Sequence, residues 1–121
     1  MRVERALEQV SGGPLEALTS RGIELVATDL RFGRVVLRGR IDLAAKKLSY
    51  DPSVLEDLGQ AMRWKGLAGD PFEIMLAHEL FHLLEPGCRD EDQAHEFAGR
   101  LLGLDYHPRQ LDAVEREYRF R

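Results

Sequence analysis

The spacing of hydrophobic and polar residues changes twice along the chain. It is helical near the start, alternates through residues 23–51, and is helical again from Pro52 onward. The first part predicts one or two short helices, over residues 2–10 and 14–20. The second part predicts three strands, at residues 23–30, 35–43 and 47–51. This order predicts an α+β fold in which a small antiparallel sheet packs with helices.

Helix-start signals recur in the second half of the chain. Ser53 with Glu56 has the spacing of a capping box, Asp70 precedes Pro71, and Asp90 can cap the next segment. Glycines and prolines separate the segments that follow these signals. We therefore predict four more helices, at residues 53–65, 71–84, 91–102 and 108–118.

The helix predicted at residues 71–84 is apolar on almost every side, which is typical of a buried helix. Toward its end the polar side chains are those of His78, Glu79 and His82, in an HExxH pattern. Residues four apart share one face of a helix, so the two imidazoles lie on one stripe with the carboxylate beside them. Buried polar groups need partners. A metal ion would be a direct partner for this stripe.

An HExxH pattern on a helix is the arrangement that binds a catalytic zinc ion. Two imidazoles can bind one ion at about 2.0–2.1 Å, and the Glu then lies beside the metal without binding it. Zinc lowers the pKa of a bound water to about 7, so Glu79 could take its proton as a general base. We predict one Zn²⁺ per chain with His78 and His82 as ligands, although these ligand types also suit manganese or iron.

A catalytic zinc site usually has three protein ligands and one position for water. The helix predicted at residues 91–102 begins a short turn after His82, so its first residues should lie near the HExxH helix. Glu91 and His95 share one face there. We favour Glu91 as the ligand, with His95 supporting a bound His. The reverse assignment is the main alternative, and Cys88 in the turn is a weaker one.

Length and charge restrict the class of protein. The chain has 121 residues, which fits one domain over residues 1–121, and its net charge of −4 gives no support for a nucleic-acid partner. No apolar stretch reaches membrane-spanning length, and Met1 is followed by a charged segment rather than a signal peptide. The single cysteine cannot form an internal disulfide. We expect a cytoplasmic protein with no membrane partner.

The HExxH residues and the segment EDQAHEFAGRLL at residues 91–102 resemble the ImmA/IrrE family of zinc metallopeptidases. The resemblance covers about residues 71–104 and implies a minimal zincin-like domain of the gluzincin type, in which a Glu is the third ligand. Carried over to this chain, it makes His78, His82 and Glu91 the ligands. It makes Glu79 the general base and His95 the residue that supports a zinc-bound His.

We therefore expect a zinc metallopeptidase whose partner is a peptide or protein substrate. The alternative is a non-enzymatic zincin-like binding or regulatory domain that has kept or lost its metal. A di-iron carboxylate protein fits less well, because its helical bundle has no place for the predicted strands. So short a chain leaves little material for a second wall of a cleft, which favours a narrow activity or one that needs a regulatory partner or a homo-oligomer.

Two further expectations concern the substrate. An extended peptide could pair with the edge of one strand. Tyr50, Tyr106 and His107 could reach the site and stabilise an oxyanion, although we favour structural roles for all three.

Overall fold

The computed structural model describes residues 2–121 of the chain. The helices and strands in this part are α1 (Arg2–Glu8), α2 (Pro14–Thr19), β1 (Glu24–Ala27), β2 (Arg31–Phe32), β3 (Val35–Val36), β4 (Gly39–Asp42), β5 (Lys47–Tyr50), α3 (Pro52–Lys65), α4 (Pro71–Leu84), α5 (Glu91–Leu102) and α6 (Gln110–Arg119). The predicted α+β class is confirmed. Within the described residues, no helix has both the length and the apolar character needed to cross a membrane.

The main sheet has three strands in the order β1-β5-β4. β4 and β5 are antiparallel, as the sequence predicts, whereas β1 runs parallel to β5. Parallel neighbours need a long connection, and residues 28–46 supply it. Those residues include β4 itself and a small separate hairpin, β2–β3. The single strand predicted over residues 35–43 is therefore divided between the hairpin and the main sheet.

The helix α4 lies at the centre of the molecule and packs against α2, α3, α5 and β4. Its bounds and those of α5 are the predicted ones. The side chain of Asp70 accepts a hydrogen bond from the Phe72 N–H at 2.8 Å, and that of Asp90 accepts one from the Asp92 N–H at 2.9 Å. Local capping signals were therefore sufficient to locate both helices.

Close packing fixes α4 relative to α5. Phe81, inside the HExxH segment, is fully buried, and its ring centroid lies 5.5 Å from that of the equally buried Phe97. Leu80 and Ala94 are also fully buried in the same core cluster. Burying a large apolar side chain contributes about 1.5–3 kcal/mol, so this contact strongly favours one spacing between the two helices.

Glycine allows β4 to approach α4 closely. A Cβ atom added to Gly39 would lie 2.5 Å from the sulfur of Met75, which is closer than side-chain atoms normally approach. Met75 belongs to the helix that carries the HExxH residues. The absence of a side chain at Gly39 therefore lets the edge strand lie directly against that helix.

The start of α3 differs from the sequence prediction. Asp51, not Ser53, is the N-cap, and its carboxylate accepts hydrogen bonds from the N–H groups of Ser53 and Val54. The same carboxylate accepts a hydrogen bond from the Leu30 N–H at 2.9 Å. Asp51 therefore joins the end of the sheet, the start of α3 and the distant connection before β2.

We predict that Asp51→Ala destabilises the protein more than Asp57→Ala, a change at an exposed carboxylate on the same helix that pairs with Arg31. The first substitution leaves three backbone N–H groups without their acceptor, including that of the buried Leu30. Thermal unfolding followed by circular dichroism measures the difference. Equal melting temperatures for the two variants would contradict this role for Asp51.

The loss of stability caused by Asp51→Ala should depend on pH. Hydrogen bonding, chiefly from the Leu30 N–H, holds the pKa of Asp51 below its ordinary value. A carboxyl group with a lowered folded-state pKa stabilises the folded protein above its unfolded-state pKa, about 3.9 for Asp. That contribution is lost as the pH falls through the folded-state pKa. The difference between wild type and Asp51→Ala should therefore shrink in acid.

Candidate metal centre

The three polar residues of the HExxH segment lie together on one face of α4. His78 and Glu79 line a cavity of about 410 Å³, which is bounded by residues of β3, β4, α3, α4, α5 and α6. The side chains of His78 and His82 are only 16% and 20% exposed, and their ring centroids lie 5.1 Å apart. The two imidazoles therefore lie side by side on α4, as their four-residue spacing predicts.

Glu91, the first residue of α5, contacts both imidazoles. One carboxylate oxygen lies 2.8 Å from Nε2 of His78, and the other lies 3.0 Å from Nε2 of His82. The hydrogen bond from His78, followed by the charges of the neighbouring histidines, lowers the pKa of Glu91 to about 2, against the opposing effect of partial burial. Glu91 is therefore ionised at neutral pH, which is the form that binds a cation.

His95, one turn further along α5, completes a group of three possible ligands. Ligand atoms of His78, Glu91 and His95 all lie within 4.8 Å of one another, and the rings of the two histidines are 4.6 Å apart. Burial, together with the nearby His78, lowers the pKa of His95 to about 4. Its buried Nδ1 has no hydrogen-bond partner in the protein. His95 is therefore neutral at pH 7, which is the form of imidazole that binds a metal ion.

Glu79 is buried between the histidines and the edge of the sheet, with 9% of its surface exposed. Burial raises its pKa, while the charges of His78 and His82 and a hydrogen bond from the Ile41 N–H oppose this shift. Its carboxylate therefore has few polar partners and lies next to the imidazoles. This is the position expected of a group that exchanges protons with a molecule bound in the cavity.

The residues present fit a metal ion. Imidazole nitrogens and a carboxylate oxygen are the donors that divalent transition metals take in proteins. Here the imidazole of His95 is neutral, the carboxylate of Glu91 is ionised, and one histidine nitrogen lacks a partner. The group formed by His78, Glu91 and His95 could therefore hold a metal ion. Of the three residues that the sequence offered as a third ligand, Glu91 and His95 belong to this group and the buried Cys88 does not. The predicted ligand His82 also lies outside the group, although its Nε2 is 3.0 Å from the Glu91 carboxylate.

The far wall of the cavity is formed by α6, which the sequence analysis did not associate with the site. Asp112, Glu115, Arg116 and Arg119 line the cavity from one face of this helix, and Arg38 lines it from the segment before β4. The guanidinium of Arg38 pairs with Asp112 at 2.9 Å and also with Glu115. The expectation that little of the chain is left for a second wall is therefore wrong, because α6 forms one.

A signal for this wall was present in the sequence. The four residues of α6 are spaced i, i+3, i+4 and i+7, so they form one polar stripe. The opposite side of the helix packs against α3 through buried residues such as Leu111 and Val114. The stripe indicates a solvent-facing side, but only the packing on α3 directs that side toward the HExxH residues.

The three residues considered for oxyanion stabilisation are engaged in other contacts. Tyr106 donates its hydroxyl hydrogen to the Ala68 carbonyl at 2.6 Å, and Tyr50 packs its ring edge-on against Phe72 at 5.1 Å. The ring of His107 lies 6.1 Å from that of His95, and its Nδ1 accepts a hydrogen bond from the Arg109 N–H at 3.3 Å. Tyr50 and Tyr106 therefore have structural contacts, as we favoured.

Comparison with known proteins provides no relative. The chain matches no protein-family model, and neither the curated proteins nor the solved structures contain a significant match.

We predict that Glu91→Gln weakens binding of a divalent ion by at least about tenfold. Loss of a residue that only supports a metal ligand already lowers metal affinity by about that factor, and loss of a ligand itself should lower it at least as much. Titration with Zn²⁺ against a chromophoric chelator measures the affinity. Glu96→Gln is the matched control, because Glu96 lies on the same helix and pairs with Arg100 rather than with the histidines. Unchanged affinity in Glu91→Gln, with loss of binding in His95→Ala, would exclude Glu91 and support His95 as the third ligand.

Proposed function

We propose that this protein is a zinc-dependent metallopeptidase of the zincin type. The observation that carries the proposal is the contact of one carboxylate, that of Glu91, with both histidines of the HExxH helix, at 2.8 and 3.0 Å. His78, His82 and Glu91 would hold one Zn²⁺ per chain, and His95 would orient a ligand or bind the ion itself. These roles follow the resemblance of residues 71–104 to the ImmA/IrrE family.

The chain's own residues divide the chemistry of peptide hydrolysis between them. A bound zinc ion supplies a Lewis acid and acidifies water. Glu79 takes a proton from the attacking water and transfers it to the leaving amine. Its burial beside the imidazoles keeps bulk water away from this transfer. The Ile41 N–H, which hydrogen-bonds to Glu79, holds the carboxylate in place.

The edge of β4 that faces away from β5 offers backbone groups to an extended peptide, apart from the Ile41 N–H, which is hydrogen-bonded to Glu79. The Asp51 N–H donates a hydrogen bond to the Arg38 carbonyl at 3.2 Å. Together with the register of β4 on β5, this bond determines which residues of β4 are hydrogen-bonded to β5. In an antiparallel pair, hydrogen-bonded and non-hydrogen-bonded residues alternate along each strand. The backbone groups of Arg40 and Asp42 therefore bond to β5, while those of Gly39 and Ile41 point away from it. Gly39 also lines the cavity. A peptide that pairs with this edge would lie alongside the HExxH residues.

One observation favours a second candidate, a zincin-like domain that binds a protein partner without cleaving it. The β2–β3 hairpin next to the cavity exposes apolar side chains, with Phe32 54% and Val35 56% exposed. Val36, which lines the cavity, is 47% exposed. Phe32 and Val35 are opposite one another on the two strands, and exposed apolar surface of this kind is common where proteins bind one another.

Glu79→Gln distinguishes the two candidates. If the protein is a peptidase, this change should lower kcat/KM by about 10²–10⁴-fold, because it removes the general base, while bound zinc stays near one ion per chain. Cleavage of a diverse peptide library by the zinc-loaded protein, followed by mass spectrometry, measures activity. Glu73→Gln, an exposed change on the same helix, is the control. A zinc-loaded wild type that cleaves no peptide would favour the binding domain.

A further inference from the structure

Every carboxylate that lines the cavity already has a partner within the chain. Glu91 contacts the two HExxH histidines, and Glu79 accepts a hydrogen bond from the backbone of β4. Asp112 and Glu115 both pair with Arg38. The negative charge on the cavity walls is therefore engaged by groups of the protein itself.

Two arginines of the same cavity have no such partner. Arg116 and Arg119 line it from α6 and are exposed to solvent. Among residues 2–121, neither guanidinium forms an ion pair with a carboxylate. The helix dipole stabilises a basic residue in the last turn whichever face of the helix it occupies. The dipole therefore does not explain why both arginines face the cavity. The face itself is fixed by the packing of α6 on α3 and by the pairing of Arg38 with Asp112 and Glu115.

We infer that Arg116 and Arg119 bind a carboxylate group of the peptide that occupies the cavity. A guanidinium binds a carboxylate through two parallel hydrogen bonds, and two adjacent guanidiniums favour an anion over a neutral amide. As a statement about substrate class, the inference rests on the proposed peptidase function. The substrates are then peptides with an acidic side chain near the cleaved bond, or peptides whose C-terminal carboxylate reaches α6.

Peptide binding to zinc-supplemented Glu79→Gln protein tests this inference without requiring cleavage. The probes are acetylated hexapeptides of alanine and serine. One set has an amidated C-terminus and a glutamate at each of the six positions in turn, a second replaces each glutamate with glutamine, and a third has glutamine with a free C-terminal carboxylate. Chemical-shift changes of the amides in residues 110–119, recorded by NMR at low ionic strength, give the dissociation constants.

We expect the amidated glutamate peptide, at one position or more, or the peptide with a free C-terminus, to bind about tenfold more tightly than its neutral counterpart. Tighter binding of an amidated glutamate peptide identifies an acidic side chain as the ligand. Tighter binding of the peptide with a free C-terminus identifies a C-terminal carboxylate. The preference should disappear in Arg116→Gln/Arg119→Gln. It should persist in Arg34→Gln/Arg63→Gln, which removes the same charge from exposed residues outside the cavity lining.

The inference would be overturned if no peptide were preferred over its neutral counterpart, or if no peptide bound at millimolar concentration. It would also be overturned if both double variants lost the preference equally. The proposed function is judged by a separate observation, the cleavage of peptides by the wild type. A charge preference without cleavage would retain the carboxylate site and reject the peptidase. Cleavage without a charge preference would support the peptidase and reject the carboxylate site.

Discussion

The contact between α4 and α5 determines the distance between the groups of the candidate metal centre. Phe81 and Phe97 are fully buried at this contact, with their rings 5.5 Å apart. The histidines belong to α4 and Glu91 to α5, so the two helices must be held at one spacing for the carboxylate to reach both imidazoles. Because protein interiors are close-packed, a change of even one methylene in this contact would shift that spacing.

The carboxylates of Glu79, on α4, and Glu91, on α5, have pKa values shifted in opposite directions. Burial of Glu79 raises its pKa, while the hydrogen bond from His78 lowers that of Glu91. Two carboxylates near the same imidazoles therefore differ in proton affinity because their surroundings differ. Pairs of titratable groups separated in this way are characteristic of sites that carry out acid–base chemistry. Glu91 also limits the cost of burying His78 and His82, since its carboxylate contacts both imidazoles.

A cleft in so short a chain requires that elements with structural roles also line it. β4 is one edge of the sheet and also one wall of the cavity, and Gly39 allows it to approach α4. α6 covers α3 with its apolar side and presents Arg116 and Arg119 to the same cavity. Changes in these elements should therefore affect both stability and ligand binding, and charge-matched control variants separate the two effects.

The sequence by itself determined the features that depend on neighbours a few residues away. Asp70 and Asp90 with their following residues located α4 and α5, and the four-residue spacing of His78 and His82 placed both imidazoles on one face. Local hydrogen bonds and helix periodicity are sufficient for these features. The sequence also indicated Glu91 and His95 as candidate ligands, since only a short turn separates α4 from α5.

Only the tertiary structure decided the features that depend on distant segments. These are the parallel pairing of β1 with β5, the contact of Asp51 with Leu30, and the direction in which the polar side of α6 points. Each joins groups 20 or more residues apart in the chain, and no local propensity favours one such partner over another. The physical reason is that long-range contacts are selected by the packing of the whole core.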